Sequence, residues 1–80
     1  MAQKLKQDIA IGPNIRKYRR AMDLTQDQLA DLMQQRGCNI DRSTLSHIEL
    51  GDYNIKISYV VAICDILQID FNTLFSGLGK

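Results

Sequence analysis

The sequence predicts an all-α domain of five helices, and three observations carry this prediction. Apolar residues recur three or four positions apart in successive segments, and no segment alternates apolar and polar residues as a half-buried strand would. Proline, threonine or aspartate precedes most of these segments, and glycine follows two of them, as expected at helix ends. With 80 residues and a hydrophobic share of 45%, the chain is long enough for one small core.

The first helix is predicted to begin at Gly12-Pro13 and to close at Met22-Asp23-Leu24. Proline suits the first helical position because the N–H that it lacks would have no partner there. The apolar face of this helix consists of Ile11, Ile15, Tyr18 and Met22.

The second helix is predicted to begin after Thr25 and to end before Gly37. The Thr25 hydroxyl and the Gln28 side chain have the spacing of a capping box, in which each accepts from the other's backbone N–H. Gly37 can take the left-handed conformation that ends a helix. The apolar face consists of Leu29, Ala30, Leu32 and Met33.

The third helix is predicted over Arg42 to Leu50, capped by Asp41 and ended by Gly51. Leu45 and Ile48 are spaced to face the core. The other surface carries short hydrogen-bonding side chains, which add little helix propensity and are typical of a contact surface.

A fourth helix is predicted around Val60 to Leu67, and Asp70 is predicted to cap a short fifth helix. The predicted organisation is an N-terminal arm (1–10), the helical domain (11–75) and a C-terminal tail (76–80).

Composition excludes several classes of protein. The longest apolar run is far shorter than the ~18 residues that span a bilayer, and Cys38 and Cys64 are isolated, so we expect neither a membrane anchor nor a disulfide or metal site. No nucleophile has a positioned base and acid, so we expect no enzyme and no cofactor. The predicted location is the cytoplasm, in association with the nucleoid. The net charge is +1, but residues 1–22 hold six basic residues and one acidic residue.

Several motifs together resemble one known family. They are Leu24-Thr25-Gln26 with Leu29-Ala30, then Ser43-Thr44-Leu45-Ser46 with Ile48-Glu49 and Gly51. The chain from about 11 to 75 is similar to the lambda-repressor-like, Cro-type helix-turn-helix domains, often called XRE. The resemblance implies a transcriptional regulator, most often a repressor, that binds a double-stranded DNA operator as a homodimer. Phage-type repressors, antitoxins and restriction–modification controllers all fit.

The pattern also assigns roles to individual residues. The helix over 42–50 has the two faces that the major groove requires, one for the core and one for the bases. The residues expected to bind DNA are Arg42, Ser43, Thr44, Ser46, His47, Gln26, Arg16, Lys17, Tyr53 and Lys56. The resemblance further implies an ion pair between Arg19 and Glu49. The family often has glycine where this chain has Gln68, and because a left-handed residue other than glycine costs about 1–2 kcal/mol, we expect a different corner after the fourth helix.

Three questions stay open at this stage. Phe71, Leu74, Phe75 and Leu78 either complete the core or form a dimer seam. The same fold also serves as a protein-interaction adaptor or antitoxin. Finally, the connection between the second and third helices, 34–40, is about five residues longer than is usual in the family, which leaves the tilt of the third helix undetermined.

Overall fold

The computed structural model describes residues 4–5, 11–51 and 55–75. Its helices are α1 (Gly12–Ala21), α2 (Gln26–Gln35), α3 (Arg42–Leu50), α4 (Ile57–Leu67) and α5 (Phe71–Leu74). The predicted all-α class with five helices is confirmed.

The structure also contains two very short strands, and the sequence analysis did not predict them. Strand β1 (Lys4–Leu5) pairs antiparallel with β2 (Ile55–Lys56), with Lys4 opposite Lys56 and Leu5 opposite Ile55. A two-residue strand is too short to produce an alternating pattern, so periodicity could not reveal it. The pairing ties part of the predicted N-terminal arm to the segment that precedes α4.

The core lies where α3 packs between α1 and α2, with α4 behind them. Its completely buried side chains include Ile15, Leu29, Met33, Leu45, Ile48, Ile55, Ile63 and Leu74. Leu74 is therefore a core residue of the single chain, and it offers no surface to a dimer seam. The reason is that α5 turns back on the bundle, where Asn14 Nδ2 donates to the Leu74 carbonyl oxygen at 2.7 Å.

The buried face of α1 differs from the predicted one at its C-terminal end. Met22 was expected to continue the apolar stripe, but it lies beyond the last residue of the helix and is exposed. The row of residues four apart, Ile11 and Ile15, continues instead to Arg19, which is buried. Arg19 thus takes the buried position at the end of this face that the pattern assigned to Met22.

The predicted helix ends are confirmed at α2 and α3. Thr25 and Gln28 form the capping box, and Asp41 accepts from the Thr44 backbone N–H. Gly37 and Gly51 have φ values of 87° and 84°. The expectation for the α4 corner was wrong, because Gln68 itself takes the left-handed conformation with φ 58°. The corner is closed by the Ile69 N–H, which donates to the Cys64 carbonyl at 3.0 Å.

The longer connection between α2 and α3 is held in place by the core. Cys38 and Ile40 are both buried, and Gln34 Nε2 donates to the Ile40 carbonyl at 2.6 Å. The Tyr59 hydroxyl donates to the Asn39 carbonyl at 3.0 Å. Burial raises the pKa of the Cys38 thiol, which disfavours the reactive thiolate. Cys38 is therefore a buried residue of the connection rather than the exposed thiol that redox sensing would favour.

Gly12 sets the distance between α1 and α3. A Cβ atom at this position would lie 2.3 Å from the Glu49 carbonyl oxygen and 2.5 Å from that of Ile48. These neighbours are backbone atoms, which cannot rotate away. The start of α1 therefore lies directly against the end of α3.

Candidate nucleic-acid interface

The outer face of α3 is polar except at its last residue. Leu45, Ile48 and Glu49 are buried, and Thr44 and Ser46 are half-buried. Arg42, Ser43 and His47 are exposed. The sequence thus builds a helix with one face in the core and a face of side chains that can donate and accept hydrogen bonds towards an external partner.

An open groove runs along this face, between α3 and the start of α2 and beside α1, and has a volume of about 550 Å³. It is lined by Arg16, Arg19, Arg20, Thr25, Gln26, Asp27, Arg42, Ser46, Glu49 and Leu50. Four arginines therefore face two carboxylates, although the chain as a whole is nearly neutral. The excess of positive charge favours an anionic partner at this surface.

The structure separates the basic residues of α1 into two groups. Arg16 and Arg20 are exposed and line the groove, since residues four apart share one helix face. Lys17 lies outside the groove lining, and its Nζ stands 5.2 Å from the centre of the Tyr18 ring. Arg20 was not among the residues expected to contact DNA. Its spacing from Arg16 is the signal that could have identified it.

Arg19 lies in the same groove but is fully engaged within the protein. Its Nε donates to Glu49 Oε2 at 2.7 Å and its Nη2 to Glu49 Oε1 at 3.1 Å. Its Nη1 donates to the Leu24 carbonyl at 2.7 Å. Gln26 Nε2 also donates to Glu49 Oε1, at 3.1 Å. The structure therefore brings together the two residues expected to pair, and it adds Gln26 to the same carboxylate.

Arg42 stands at the first position of α3, where its charge gains nothing from the helix dipole. Its Nε lies 3.7 Å from Asp27 Oδ1, a loose contact between two exposed side chains. Next to it, the Thr44 backbone N–H donates to Asp41 at 2.8 Å, and this bond lowers the pKa of the Asp41 carboxyl. Asp41 thus stays ionised as a cap, while Arg42 is held too weakly to be fixed in place.

The remaining predicted residues are distributed more widely. Lys56 is exposed at the end of β2, with its Nζ 5.5 Å from the centre of the Tyr59 ring. Phe71 is 49% exposed, and Phe75 is half-buried against the core with its ring centre 6.5 Å from that of Phe71. Tyr53 and Leu78 lie outside the described residues.

The described part of the chain has neither a metal-binding cluster nor a membrane-spanning helix. No three His, Cys, Asp or Glu side chains among the described residues are grouped so that they could hold a metal ion. None of the helices described is long and apolar enough to cross a membrane.

Comparison with known families identifies the architecture. A helix-turn-helix family model matches residues 15–74, from the first turn of α1 to the end of α5. The chain belongs to this helix-turn-helix family. The family comprises DNA-binding transcriptional regulators, and the domain is of the lambda-repressor and Cro type. Within the matched region, α2 and α3 pack against each other and are joined by residues 36–41. No curated protein matches the sequence.

Proposed function

We propose that this protein binds duplex DNA sequence-specifically by inserting α3 into the major groove, and that it acts as a homodimeric transcriptional repressor. The observation that carries the proposal is the groove in which Arg16, Arg20 and Arg42 stand beside the polar face of α3. The major groove is about 12 Å wide and accepts one α-helix. Arg16 and Arg20 of α1 would then face the phosphates beside this helix, while Arg42, on α3 itself, would reach the bases.

The bases would be read from the exposed face of α3. Arg42 can donate two hydrogen bonds to O6 and N7 of a guanine. Ser43 and Ser46 can donate or accept at several base edges, and His47 can donate to an acceptor. Breaking the loose contact between Arg42 and Asp27 costs about 1 kcal/mol or less, so Arg42 can move to a base at little expense. Thr44 is half-buried and suits a contact at the groove edge.

The phosphates would be held by the surrounding basic residues and by the start of α2. Arg16 and Arg20 are supplied by α1, with Lys17 and Lys56 further out. The amide nitrogen of Gln26 has two N–H groups, so it can donate to a phosphate and to Glu49 together. Because such contacts are made to every sequence, they supply affinity and salt dependence rather than selectivity.

Dimerisation follows from the size of one reading helix. A single α3 contacts only a few base pairs, which is too little for tight operator binding, and two copies on one face of DNA read half-sites about 34 Å apart. Exposed aromatic surface at Phe71 supports a seam near α5. A dimer bound across a promoter would exclude polymerase, and this is the reason for proposing repression.

Selection of bound sequences from a random duplex pool tests the proposal directly. We expect an inverted repeat with half-sites about one helical turn apart. A titration with salt should then show log-linear loss of affinity for random duplex. The matched control is the Arg16→Ala/Arg20→Ala/Arg42→Ala variant. The three side chains that it removes are exposed, so the variant should keep the fold while losing affinity for DNA. Failure of the wild-type protein to enrich any sequence at low salt would refute DNA recognition and favour a protein-binding adaptor.

A further inference from the structure

Leu50 is the most exposed large hydrophobic side chain in the described part of the chain, at 71%. It is the last residue of α3, on the helix that carries the polar face. Burial of a leucine stabilises a protein because it removes apolar surface from water, and Leu50 gains little of this stabilisation in the isolated chain. Its presence at this position therefore has no explanation in the stability of the monomer.

The position of Leu50 relates it directly to the proposed reading residues. Arg42, Ser46 and Leu50 are spaced four apart, so they form one row along α3. All three line the groove that also contains Arg16 and Arg20. Leu50 is the apolar residue of this row, and the groove around it is lined by arginine side chains and by the hydroxyl of Ser46. A partner that fits this row presents anionic, polar and apolar groups in close succession.

The major groove of DNA presents one apolar group among its polar base edges, the C5 methyl of thymine. We infer that Leu50 is a specificity-determining residue that contacts a thymine methyl at a defined position of each half-site. This inference rests on the proposed function, since it requires α3 to lie in the major groove. Arg42 stands at the opposite end of the row from Leu50. The thymine contacted by Leu50 therefore lies at the other end of the half-site from the base contacted by Arg42.

Deoxyuridine provides the test, because it differs from thymidine only in lacking the C5 methyl group of the base. Each thymine of the selected operator is replaced in turn by deoxyuridine, and the Kd of the wild-type protein and of Leu50→Ala is measured for every duplex. Removal of one buried methyl corresponds to about a fourfold change in affinity. We expect one thymine per half-site whose replacement weakens the wild type by about this factor and leaves the affinity of Leu50→Ala unchanged.

Two matched variants complete the design. Leu50→Met keeps an apolar side chain and should retain the dependence on the methyl group. Val61→Ala removes an exposed apolar side chain of α4 that lies outside the groove, and it should respond to deoxyuridine as the wild type does. The inference is overturned if no thymine gives a different penalty for wild type and Leu50→Ala, or if the selected half-site holds no thymine. In either case the wild-type protein still selects an operator, which separates this failure from failure of DNA recognition itself.

Discussion

Gln26 donates from its side-chain amide to Oε1 of Glu49, the same oxygen that accepts from Arg19 Nη2. One carboxylate at the end of α3 is therefore bound by a residue of α1 and by the first residue of α2. The three helices that line the groove meet at this point. The position of α3 relative to the proposed phosphate contacts thus depends on an interaction inside the protein.

The Arg19–Glu49 pair is expected to be important for stability. Both residues are less than 10% exposed, so removing one leaves a buried charge without its partner. Either Arg19→Ala or Glu49→Ala should lower the free energy of unfolding by about 3–5 kcal/mol. The double variant should be destabilised by less than the sum of the two single effects. Denaturant unfolding of the four proteins measures the coupling.

The chain contains a matched control for this experiment. Arg36 and Asp65 also form an ion pair, but both side chains are largely exposed. Alanine at either position should cost about 1 kcal/mol or less. Simple additivity of the Arg19 and Glu49 effects would mean that the two side chains do not interact in solution.

Gly12→Ala is expected to destabilise the protein, although alanine is the better helix former. Its methyl group would collide with the carbonyl oxygens of Ile48 and Glu49, so α1 would have to move away from α3. We expect the free energy of unfolding to fall by about 3 kcal/mol, at the upper end for overpacking. Gly37→Ala is the comparison, because only its positive φ opposes alanine and there is open space around it. Its effect should be the smaller, at about 1–2 kcal/mol. Equal unfolding midpoints for the two variants would argue against the close approach of α1 and α3.

The helix boundaries could be predicted because they depend on local chemistry. The Thr25 capping box, the Asp41 cap and Gly51 each act within a few residues, so the sequence contains the whole of the signal. Gln68 is the exception. Its left-handed conformation costs free energy locally, and the adjoining turn with the Ile69–Cys64 hydrogen bond closes the corner nonetheless.

The composition of the candidate interface could be predicted only in part, because it depends on how helices pack. Arg42, Ser43 and His47 follow from the two faces of α3. Arg20 enters the groove because of the way α1 packs against α3. Leu74 is buried because α5 folds back onto the core. The spacing of Arg20 from Arg16 places both on one face of α1, but only the packing of the helices decides that this face lines the groove and that Leu74 is buried.

The two groups of basic residues on α1 are expected to differ in their effect on DNA affinity. Arg16→Ala and Arg20→Ala should weaken binding to all sequences, and each should reduce the salt slope by about 0.9 for every phosphate that is no longer neutralised. Lys17→Ala, adjacent in the chain but outside the groove lining, should have a smaller effect on both. Titrations of random duplex at several salt concentrations provide the comparison. A larger effect from Lys17 than from Arg20 would show that DNA approaches a different side of α1.

The residues proposed to contact bases should affect sequence selectivity, whereas Arg16 and Arg20 should affect the affinity for every sequence. Arg42→Ala and His47→Ala are expected to reduce discrimination at particular base pairs, each by about 1–3 kcal/mol. Affinities for a set of singly substituted operators measure this effect. Because Arg42 is exposed and its contact with Asp27 is loose, the unfolding temperature of Arg42→Ala should be nearly unchanged. If Arg42→Ala ranks the substituted operators as the wild type does, Arg42 does not read a base.

The dimer seam is expected to include Phe71 and Phe75. Because Leu74 is buried in the core, only the outer side of α5 can contribute to the seam. Phe71 is the better probe because it is 49% exposed, whereas Phe75 also packs against the core of the single chain. Phe71→Ser should therefore weaken association without unfolding the protein. Phe75→Ser should weaken both association and the fold.

Sedimentation gives the mass in solution, and the steepness of operator binding reports association on DNA. We expect Phe71→Ser to shift the mass towards the monomer at a given concentration and to make binding less steep, since two half-sites would then be filled independently. Val61→Ser is the control, because Val61 has a similar exposure on α4 and lies outside the proposed seam. If Phe71→Ser retains the wild-type mass and steepness while Val61→Ser changes them, the seam lies on α4. If neither variant differs from the wild type, the predicted arm over residues 1–10 becomes the next segment to test.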